Sequence, residues 1–136
     1  MKPKATAVWE GDGRTGSGSL TTGSGVLKDA RYTFKTRFEG APGTNPEELL
    51  AAAHAGCFTM KLAFNLEAAG FKPKRLETVC TITFENGAIT ASNLNVEGEI
   101  PDINQEAFDQ LIEDAEKNCP VSKLFNAEII ANGILR

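Results

Sequence analysis

A long apolar segment with a clear helical start limits the folds available to this chain. In GTNPEELL, Asn45 is a good N-cap, Pro46 suits the first helical position, and Glu48 stands where a capping box needs an acidic residue. We predict a helix over residues 45–70, in which Gly70 provides the left-handed cap at the C-terminal end.

This helix is apolar almost all round. Between Leu49 and Met60, only His54 and Thr59 interrupt the apolar residues. A helix without a polar face must be buried on all sides, and one sheet in a chain of this size covers only one side. We therefore expect a second helix against the other side, in a two-fold dimer with this helix at its centre. Gly56, which costs about 1 kcal/mol relative to alanine inside a helix, would allow close packing or leave room for a ligand.

The rest of the chain alternates strand and helix patterns. Strands are predicted for ATAVWE and GSGSLTT, which flank a glycine-rich turn, and for RYTFKTRF, whose apolar residues alternate with charged ones. A hairpin joins LETVCTITF to ITASNLNVEGEI through Asn86-Gly87. A second helix, 104–119, ends at Cys119, before a short helical turn in VSKLF and a closing strand in AEIIANGILR. This order predicts an α+β fold.

Charge and cysteine content exclude several classes of protein. The 136-residue chain has a net charge of −4 and no Lys/Arg cluster, which argues against nucleic-acid and membrane partners. The N-terminus lacks the apolar core of a signal peptide, and the apolar run Leu49–Phe58 is too short to span a bilayer. Three cysteines, an odd number, do not indicate a disulfide-stapled secreted protein. We expect a cytoplasmic protein.

The cysteines allow two interpretations. Cys57, in AAAHAGCF, is either a small apolar side chain in the core or a reactive thiol. Cys119 precedes a proline that starts a new turn, a position that can expose its sulfur and the adjacent backbone N–H groups. The two thiols could meet if both helices pack on the same sheet. Cys80, within a predicted strand, is interpreted as structural.

His54 lies three residues before Cys57, on nearly the same helical face. It either pairs with that thiol or bonds to backbone or solvent. One histidine and three cysteines without CxxC spacing make a poor metal-ligand set. GDGRTG matches GxGxxG, but no helix pattern follows it, so we interpret it as a glycine-rich turn and expect no cofactor. Arg37 and Arg14 are candidate cations for lowering the pKa of a thiol.

Three stretches in order, VWEGDGRTGSG, TRFEGAPGTNPEELLAAAHAGCF and NCPVSKLF, resemble the OsmC/Ohr family of peroxide-reducing proteins, and the first two are closer to its OsmC branch. The resemblance covers nearly the whole chain. It implies a single α+β domain over 1–136 that forms an intertwined homodimer, with antiparallel sheets packed on two long central helices. The strands within 1–40 would contribute to the dimer.

The resemblance also implies an activity, a thiol peroxidase that reduces organic hydroperoxides, with hydrogen peroxide as a second candidate substrate. Cys57 would form a sulfenic acid, and Cys119 would resolve it as an intrachain disulfide, recycled by a small dithiol of the lipoyl type. Arg37 and Glu47 would be the polar partners, with Arg37 preferred to Arg14 as the arginine over the thiol.

The helix geometry bears on where these partners lie. Glu47 and Cys57 are ten residues apart on one helix, about 15 Å along its axis. If Glu47 and Arg37 serve Cys57, we expect them to come from the other subunit. The alkyl group of the substrate is expected against Phe58 and Phe125. Two rival hypotheses are a non-catalytic dimer that binds a small apolar ligand, and a redox sensor that uses the same disulfide.

Overall fold

A computed structural model describes all 136 residues, which divide into two units, Met1–Leu49 and Leu50–Arg136. The strands are β1 (Ala5–Glu10), β2 (Ser17–Thr22), β3 (Ala30–Tyr32), β4 (Arg75–Glu85), β5 (Ala88–Glu99) and β6 (Glu128–Leu135). The helices are α1 (Phe34–Phe38), α2 (Pro46–Ala68), α3 (Gln105–Asn118) and α4 (Pro120–Leu124). The α+β class predicted from the sequence is confirmed.

The first unit contains an antiparallel sheet in the order β1-β2-β3. Every residue of β1 is exposed in this chain. The rings of Trp9 and Tyr32, from the two outer strands, lie 5.4 Å apart. They approach each other across Gly18 on the central strand, where a Cβ would come within 2.6 Å of either ring. Glycine is therefore the residue that allows this aromatic contact.

The predicted strand RYTFKTRF is wrong beyond Tyr32, because the chain turns into α1. Thr33 Oγ1 accepts a hydrogen bond from Thr36 N at 3.1 Å, and Thr36 Oγ1 accepts one from Thr33 N at 2.8 Å. This reciprocal pair is a capping box, which satisfies two backbone donors at a helix start. Phe34 and Phe38 are also four residues apart, and their ring centroids lie 4.9 Å from each other.

The predicted start and end of the long helix are confirmed in α2. Asn45 Oδ1 accepts a hydrogen bond from Glu48 N at 2.8 Å, as an N-cap does. At the other end Gly70 has φ +88°, and Phe71 N donates to Leu66 O at 2.9 Å. These features form a Schellman motif, which ends the helix at a left-handed glycine.

The prediction that this helix is buried on all sides is not met within one chain. Only one face of α2 is buried, and it consists of His54, Phe58, Leu62 and Leu66. Met60 and Phe64 are 65% and 59% exposed, and a Cβ at Gly56 would meet nothing within 4 Å. By length and composition alone α2 could cross a membrane, but core helices of water-soluble proteins share that property, so this does not assign a bilayer location.

The second unit contains a sheet in the order β4-β5-β6. Asn86 and Gly87, with φ of 50° and 77°, form the predicted hairpin between β4 and β5. β6 pairs with β5 in parallel, so the prediction of antiparallel sheets is wrong for this sheet, which is mixed. The connection through α3 and α4 returns the chain to the end from which β5 starts, and a parallel pair requires such a crossover.

The hydrophobic core of the second unit lies between α2, α3 and this sheet. Its fully buried side chains include Phe58, Leu62, Leu66, Leu94 and Phe108. Two glycines on the sheet let α3 approach closely, because a Cβ at Gly98 or Gly133 would come within 2.9 Å of the Phe108 ring. The second predicted helix is confirmed as α3, which Asn104 caps by accepting from Ala107 N at 2.8 Å.

Candidate active site

Cys57 lies in the middle of α2 and is half-buried. The backbone N–H of Val121, in α4, donates to its sulfur, and the thiol of Cys119 lies beside it. The structure therefore brings together the two thiols that the sequence singled out, although they come from different helices.

The neighbours of Cys57 within its own unit do not activate this thiol. Burial raises the pKa of the Cys57 thiol, and the neighbouring Cys119 raises it further, while the hydrogen bond from Val121 lowers it by less than the sum of these effects. Neither neighbour is cationic. A reactive thiolate needs positive charge close to the sulfur, so the surroundings of Cys57 within its own unit favour the neutral thiol.

Cys119 joins two helices, as the C-cap of α3 and the N-cap of α4. Its sulfur lies 3.0 Å from Ser122 Oγ and accepts a hydrogen bond from Ser122 N at 3.4 Å. The expectation that this position exposes the sulfur is wrong, because Cys119 is completely buried. The expected neighbouring N–H groups are present, since Ser122 N faces Cys119 and Val121 N faces Cys57.

His54 is completely buried and contacts two serine hydroxyls. Its Nδ1 lies 2.6 Å from Ser92 Oγ in β5, and its Nε2 lies 2.7 Å from Ser122 Oγ in α4. The sequence left two alternatives for His54, a direct pair with Cys57 or a bond to backbone or solvent. The structure shows neither, since both ring nitrogens bond to serine hydroxyls. Burial lowers the pKa of His54, and the ring of Phe125 packs edge-on against it at 4.9 Å.

Cys80 lies on the inner face of β4 and is half-buried. Its sulfur is 3.3 Å from Ser92 Oγ, and its pKa is raised by burial against the lowering effect of that hydroxyl. Five side chains thus form a continuous hydrogen-bonded series, which we call the thiol–histidine network: Cys119, Ser122, His54, Ser92 and Cys80.

Sequence reasoning did not assign a role to either serine of this network. Ser122 belongs to the NCPVSKLF stretch, three residues after Cys119, which is the position where a helical N-cap meets a backbone donor. That spacing was the available signal. Ser92 is one polar residue in an alternating strand, and no local pattern distinguishes it.

Arg37 and Glu47 form a two-pronged ion pair in the first unit. Arg37 Nε lies 3.1 Å from each carboxylate oxygen, and its Nη2 lies 2.6 Å from Oε1. Burial opposes ionisation of Glu47, but the hydrogen bonds and charge of Arg37 outweigh it and lower the pKa of the carboxyl. The hydrogen bond to Glu47 likewise raises the pKa of Arg37. The guanidinium is therefore charged and held in one orientation.

The remaining candidate residues have other environments. Arg14 lies over the ring of Phe34, with its guanidinium carbon 5.1 Å from the ring centroid. Phe58 is completely buried in the core, so the expectation that it contacts a substrate is wrong. Phe125 is half-buried against His54. Glu47 and Cys57 are ten residues apart on α2, about 15 Å along the axis, so Glu47 does not contact Cys57 of its own chain.

The GDGRTG stretch is a turn between β1 and β2, as predicted. Asp12 Oδ1 accepts hydrogen bonds from Arg14 N at 2.9 Å and Thr15 N at 2.8 Å. These bonds lower the pKa of the Asp12 carboxyl, mainly through Thr15. No group of three or more His, Cys, Asp or Glu side chains is arranged to hold a metal ion.

The chain is similar to several known proteins. The model of the family described as OsmC-like protein matches residues 38–132. The chain is 45% identical over 130 residues to the peroxiredoxin OsmC of Escherichia coli (strain K12), which covers 93% of this chain and 91% of that protein.

Two solved structures share the fold along nearly the whole length of each chain. An OsmC-like protein from Mycoplasma pneumoniae superposes with a TM-score of 0.77 and 18% identity, over 99% of this chain and 97% of that chain. The organic hydroperoxide resistance protein OhrB of Bacillus subtilis superposes with a TM-score of 0.71 and 26% identity, over 100% and 98%. With the family match and the E. coli relative, this agreement shows that the chain belongs to the OsmC family.

Proposed function

We propose that this protein is a thiol-dependent peroxidase that reduces organic hydroperoxides. The observation that carries the proposal is the pair of adjacent thiols, a half-exposed Cys57 beside a buried Cys119. The names of the relatives support it, because one is a peroxiredoxin and another an organic hydroperoxide resistance protein. Hydrogen peroxide is the second candidate substrate.

The proposed cycle has three steps. The Cys57 thiolate attacks a peroxide oxygen, the O–O bond breaks, and the leaving alkoxide takes up a proton to become an alcohol. The sulfur of Cys57 is thereby oxidised to a sulfenic acid. Cys119 then attacks that sulfur, forming a disulfide and releasing water, and a small dithiol such as a lipoyl group reduces the disulfide. Because Cys119 is adjacent, the sulfenic acid is captured before further oxidation.

The first step needs a cation, and neither neighbour of Cys57 within its own unit supplies one. We propose that Arg37, oriented by Glu47, acts on Cys57 of a second subunit in a homodimer whose α2 helices run antiparallel. A guanidinium there would lower the pKa of the thiol and donate hydrogen bonds to the peroxide. The exposed apolar face of α2, with Met60 and Phe64, supports this assembly because an apolar helix face needs a cover.

The dimer also gives the N-terminal strands a role. Each residue of β1 is exposed in one chain, and a strand without a buried side chain contributes little hydrophobic stabilisation. Contact of these strands with a second chain would bury them, as the intertwined arrangement requires. A cytoplasmic location completes the proposal, since a reducing compartment keeps the three thiols available.

The test is a cysteine map after a single turnover. Reduced protein receives one equivalent of an organic hydroperoxide per chain, is quenched with an alkylating reagent, and is analysed by peptide mass spectrometry. We expect a rapid Cys57–Cys119 disulfide with Cys80 alkylated. A Cys119→Ser variant is the matched control, and it should stop at the sulfenic acid of Cys57.

Three freely alkylated cysteines would refute the proposal and favour a ligand-binding protein with inert thiols. A disulfide without turnover by a dithiol would instead indicate a redox sensor.

A further inference from the structure

One buried histidine connects the resolving thiol to the other side of the core. Cys119 Sγ lies 3.0 Å from Ser122 Oγ, and that oxygen lies 2.7 Å from His54 Nε2. The second ring nitrogen lies 2.6 Å from Ser92 Oγ. A histidine that only filled space could satisfy its nitrogens with backbone groups, whereas this one reaches a redox-active thiol through a single hydroxyl.

The surroundings of His54 determine its protonation state. Burial is the one cause that lowers its pKa, and no charged side chain contributes. The titratable groups that face it are thiols, Cys119 beyond Ser122 on the α4 side and Cys80 beyond Ser92 on the sheet side, while Phe125 supplies an apolar edge. At neutral pH the ring is therefore neutral, with one nitrogen a donor and the other an acceptor.

We propose that His54, acting through the hydroxyl of Ser122, accepts the proton of Cys119 when this thiol attacks the sulfenic acid of Cys57. The inference rests on the proposed peroxidase function and concerns its second step. Ser122 is the group in contact with the reacting sulfur, and His54 is a positioning residue that acts through it.

The step balances as follows. The Cys119 thiol proton passes to Ser122 Oγ while the proton of that hydroxyl passes to His54 Nε2. The electron pair of the sulfur forms the S–S bond, and the S–O bond of Cys57 breaks with its electron pair on oxygen. The departing hydroxide takes up one proton to become water, and the imidazolium gives one up, so no net proton is gained. Cys119 is oxidised to the disulfide, and the sulfur of the sulfenic acid is reduced.

Ser92 serves the same step from the opposite side. If it accepts a hydrogen bond from Nδ1–H, the ring keeps that tautomer and Nε2 stays available as the acceptor for Ser122. Ser92 in turn contacts Cys80 at 3.3 Å, so its hydroxyl proton has an acceptor. The two serines thus differ in function although both bond to one ring.

The experiment compares Ser122→Ala with Ser92→Ala. Each variant removes one of the two hydroxyl groups that bond to the His54 ring. If the hydroxyls were purely structural, the two variants should slow disulfide formation equally. Rapid mixing with an organic hydroperoxide, acid quenching and intact mass separate the sulfenic acid from the disulfide at each pH. We expect Ser122→Ala to form the sulfenic acid at a rate near that of the wild type and to form the disulfide at least about tenfold more slowly. Ser92→Ala should have the smaller effect.

The rate of disulfide formation as a function of pH distinguishes proton transfer from packing, because a purely packing role of Ser122 would leave the shape of this profile unchanged. In the wild type, neutral His54 accepts the proton, so disulfide formation should vary little from about pH 8 to about pH 6.5 and fall only below that, because the pKa of His54 is lowered from 6.5. In Ser122→Ala the proton of Cys119 has no nearby acceptor, so the rate of disulfide formation should rise steadily with pH over the same range, because a thiolate is the attacking species in such reactions. Ser122→Thr, which keeps the hydroxyl, should restore the flat profile.

A second measurement keeps the two proposals separable. A mixed disulfide of Cys57 with an aromatic thiol is prepared without peroxide, and release of that thiol reports the attack of Cys119 directly. The same contrast between Ser122→Ala and Ser92→Ala is expected there. If peroxide never oxidises Cys57, the peroxidase proposal fails while this assay still decides the role of His54. Equal rates and equal pH profiles for wild type and Ser122→Ala, or equal losses in the two variants, would overturn the inference.

Discussion

The two units of this chain are stabilised in different ways. The unit Leu50–Arg136 contains all ten buried hydrophobic side chains of the core. The unit Met1–Leu49 contains none of them. Hydrogen bonds and one ion pair stabilise it locally: the capping box of Thr33 and Thr36, the Asp12 turn, and the Arg37–Glu47 pair. The first unit therefore has local order without a core of its own.

The candidate active-site residues are also divided between the two units. The thiols and the thiol–histidine network belong to the unit with the core, where burial fixes distances and shifts pKa values. The candidate cation, Arg37, belongs to the unit without a hydrophobic core, where the carboxylate of Glu47 orients it. In the proposed dimer the cation would be delivered from one chain to the thiol of another, so covering the first unit and activating the thiol would be one event.

The largest effect expected is on the thiol itself. Cys57→Ser replaces the proposed peroxidatic sulfur by a hydroxyl that is not ionised at neutral pH, so turnover of hydroperoxide with a dithiol should fall at least about a thousandfold. Loss of peroxide measured over time gives the rate, and an unchanged melting temperature shows that the fold is retained. A variant with full activity would refute the assignment of Cys57 as the nucleophile.

The contrast in core packing predicts a large difference between two truncations. Phe108→Ala removes a completely buried ring and should lower the free energy of unfolding by about 3–5 kcal/mol. Val8→Ala, on the exposed strand β1, should change it by less than about 0.5 kcal/mol in dilute protein. Urea unfolding at several protein concentrations measures both. A cost for Val8→Ala that grows with concentration would show that a second chain covers β1, and equal costs in dilute protein would contradict the contrast.

The ion pair of the first unit predicts an intermediate effect. Arg37→Lys keeps the charge but loses the two-pronged contact with Glu47, so kcat/KM for an organic hydroperoxide should fall about 10- to 100-fold. Steady-state kinetics with a dithiol gives the value. Arg14→Lys is the matched comparison, since the family resemblance leaves that arginine as the alternative. A loss that follows Arg14 rather than Arg37 would reverse the assignment.

The smallest effect concerns the stability of the second unit as pH falls. Because the pKa of His54 is lowered in the folded chain, the unfolded chain binds the extra proton first. The stability is fully present above the ordinary histidine pKa of 6.5 and is lost as pH falls below it, by at most about 1.4 kcal/mol per pH unit. Urea unfolding between about pH 7.5 and about pH 5.5 measures the slope of the free energy of unfolding against pH. His54→Gln should remove it, and a slope that persists in this variant would assign it to other groups.

Local signals in the sequence were sufficient for much of the fold. Asn45, Gly70 and the Asn86-Gly87 pair each act through bonds to residues a few positions away, so helix ends and the hairpin were predictable. The misread stretch was also decided locally, because the two threonines of the α1 capping box outweigh the alternation of aromatic residues. The parallel place of β6 depends on packing over the crossover, which no short pattern expresses.

The site was less accessible to sequence reasoning. The cysteines and the Arg37–Glu47 pair stood out by residue type and by resemblance to a family. The partners of His54 did not, because Ser92 and Ser122 are 38 and 68 residues away along the chain. A hydroxyl becomes distinctive only when tertiary structure buries it against a ring nitrogen.

Those separations have a consequence for folding. His54 can acquire both of its hydroxyl partners only after β5 has joined the sheet and α4 has docked, so we expect its neighbourhood to be completed late, with low φ-values. Until α4 has docked, Cys119 is not held beside Cys57. We therefore expect the two thiols to become fixed neighbours only when the fold is nearly finished, and pulse-labelling of the cysteines during refolding would time that step.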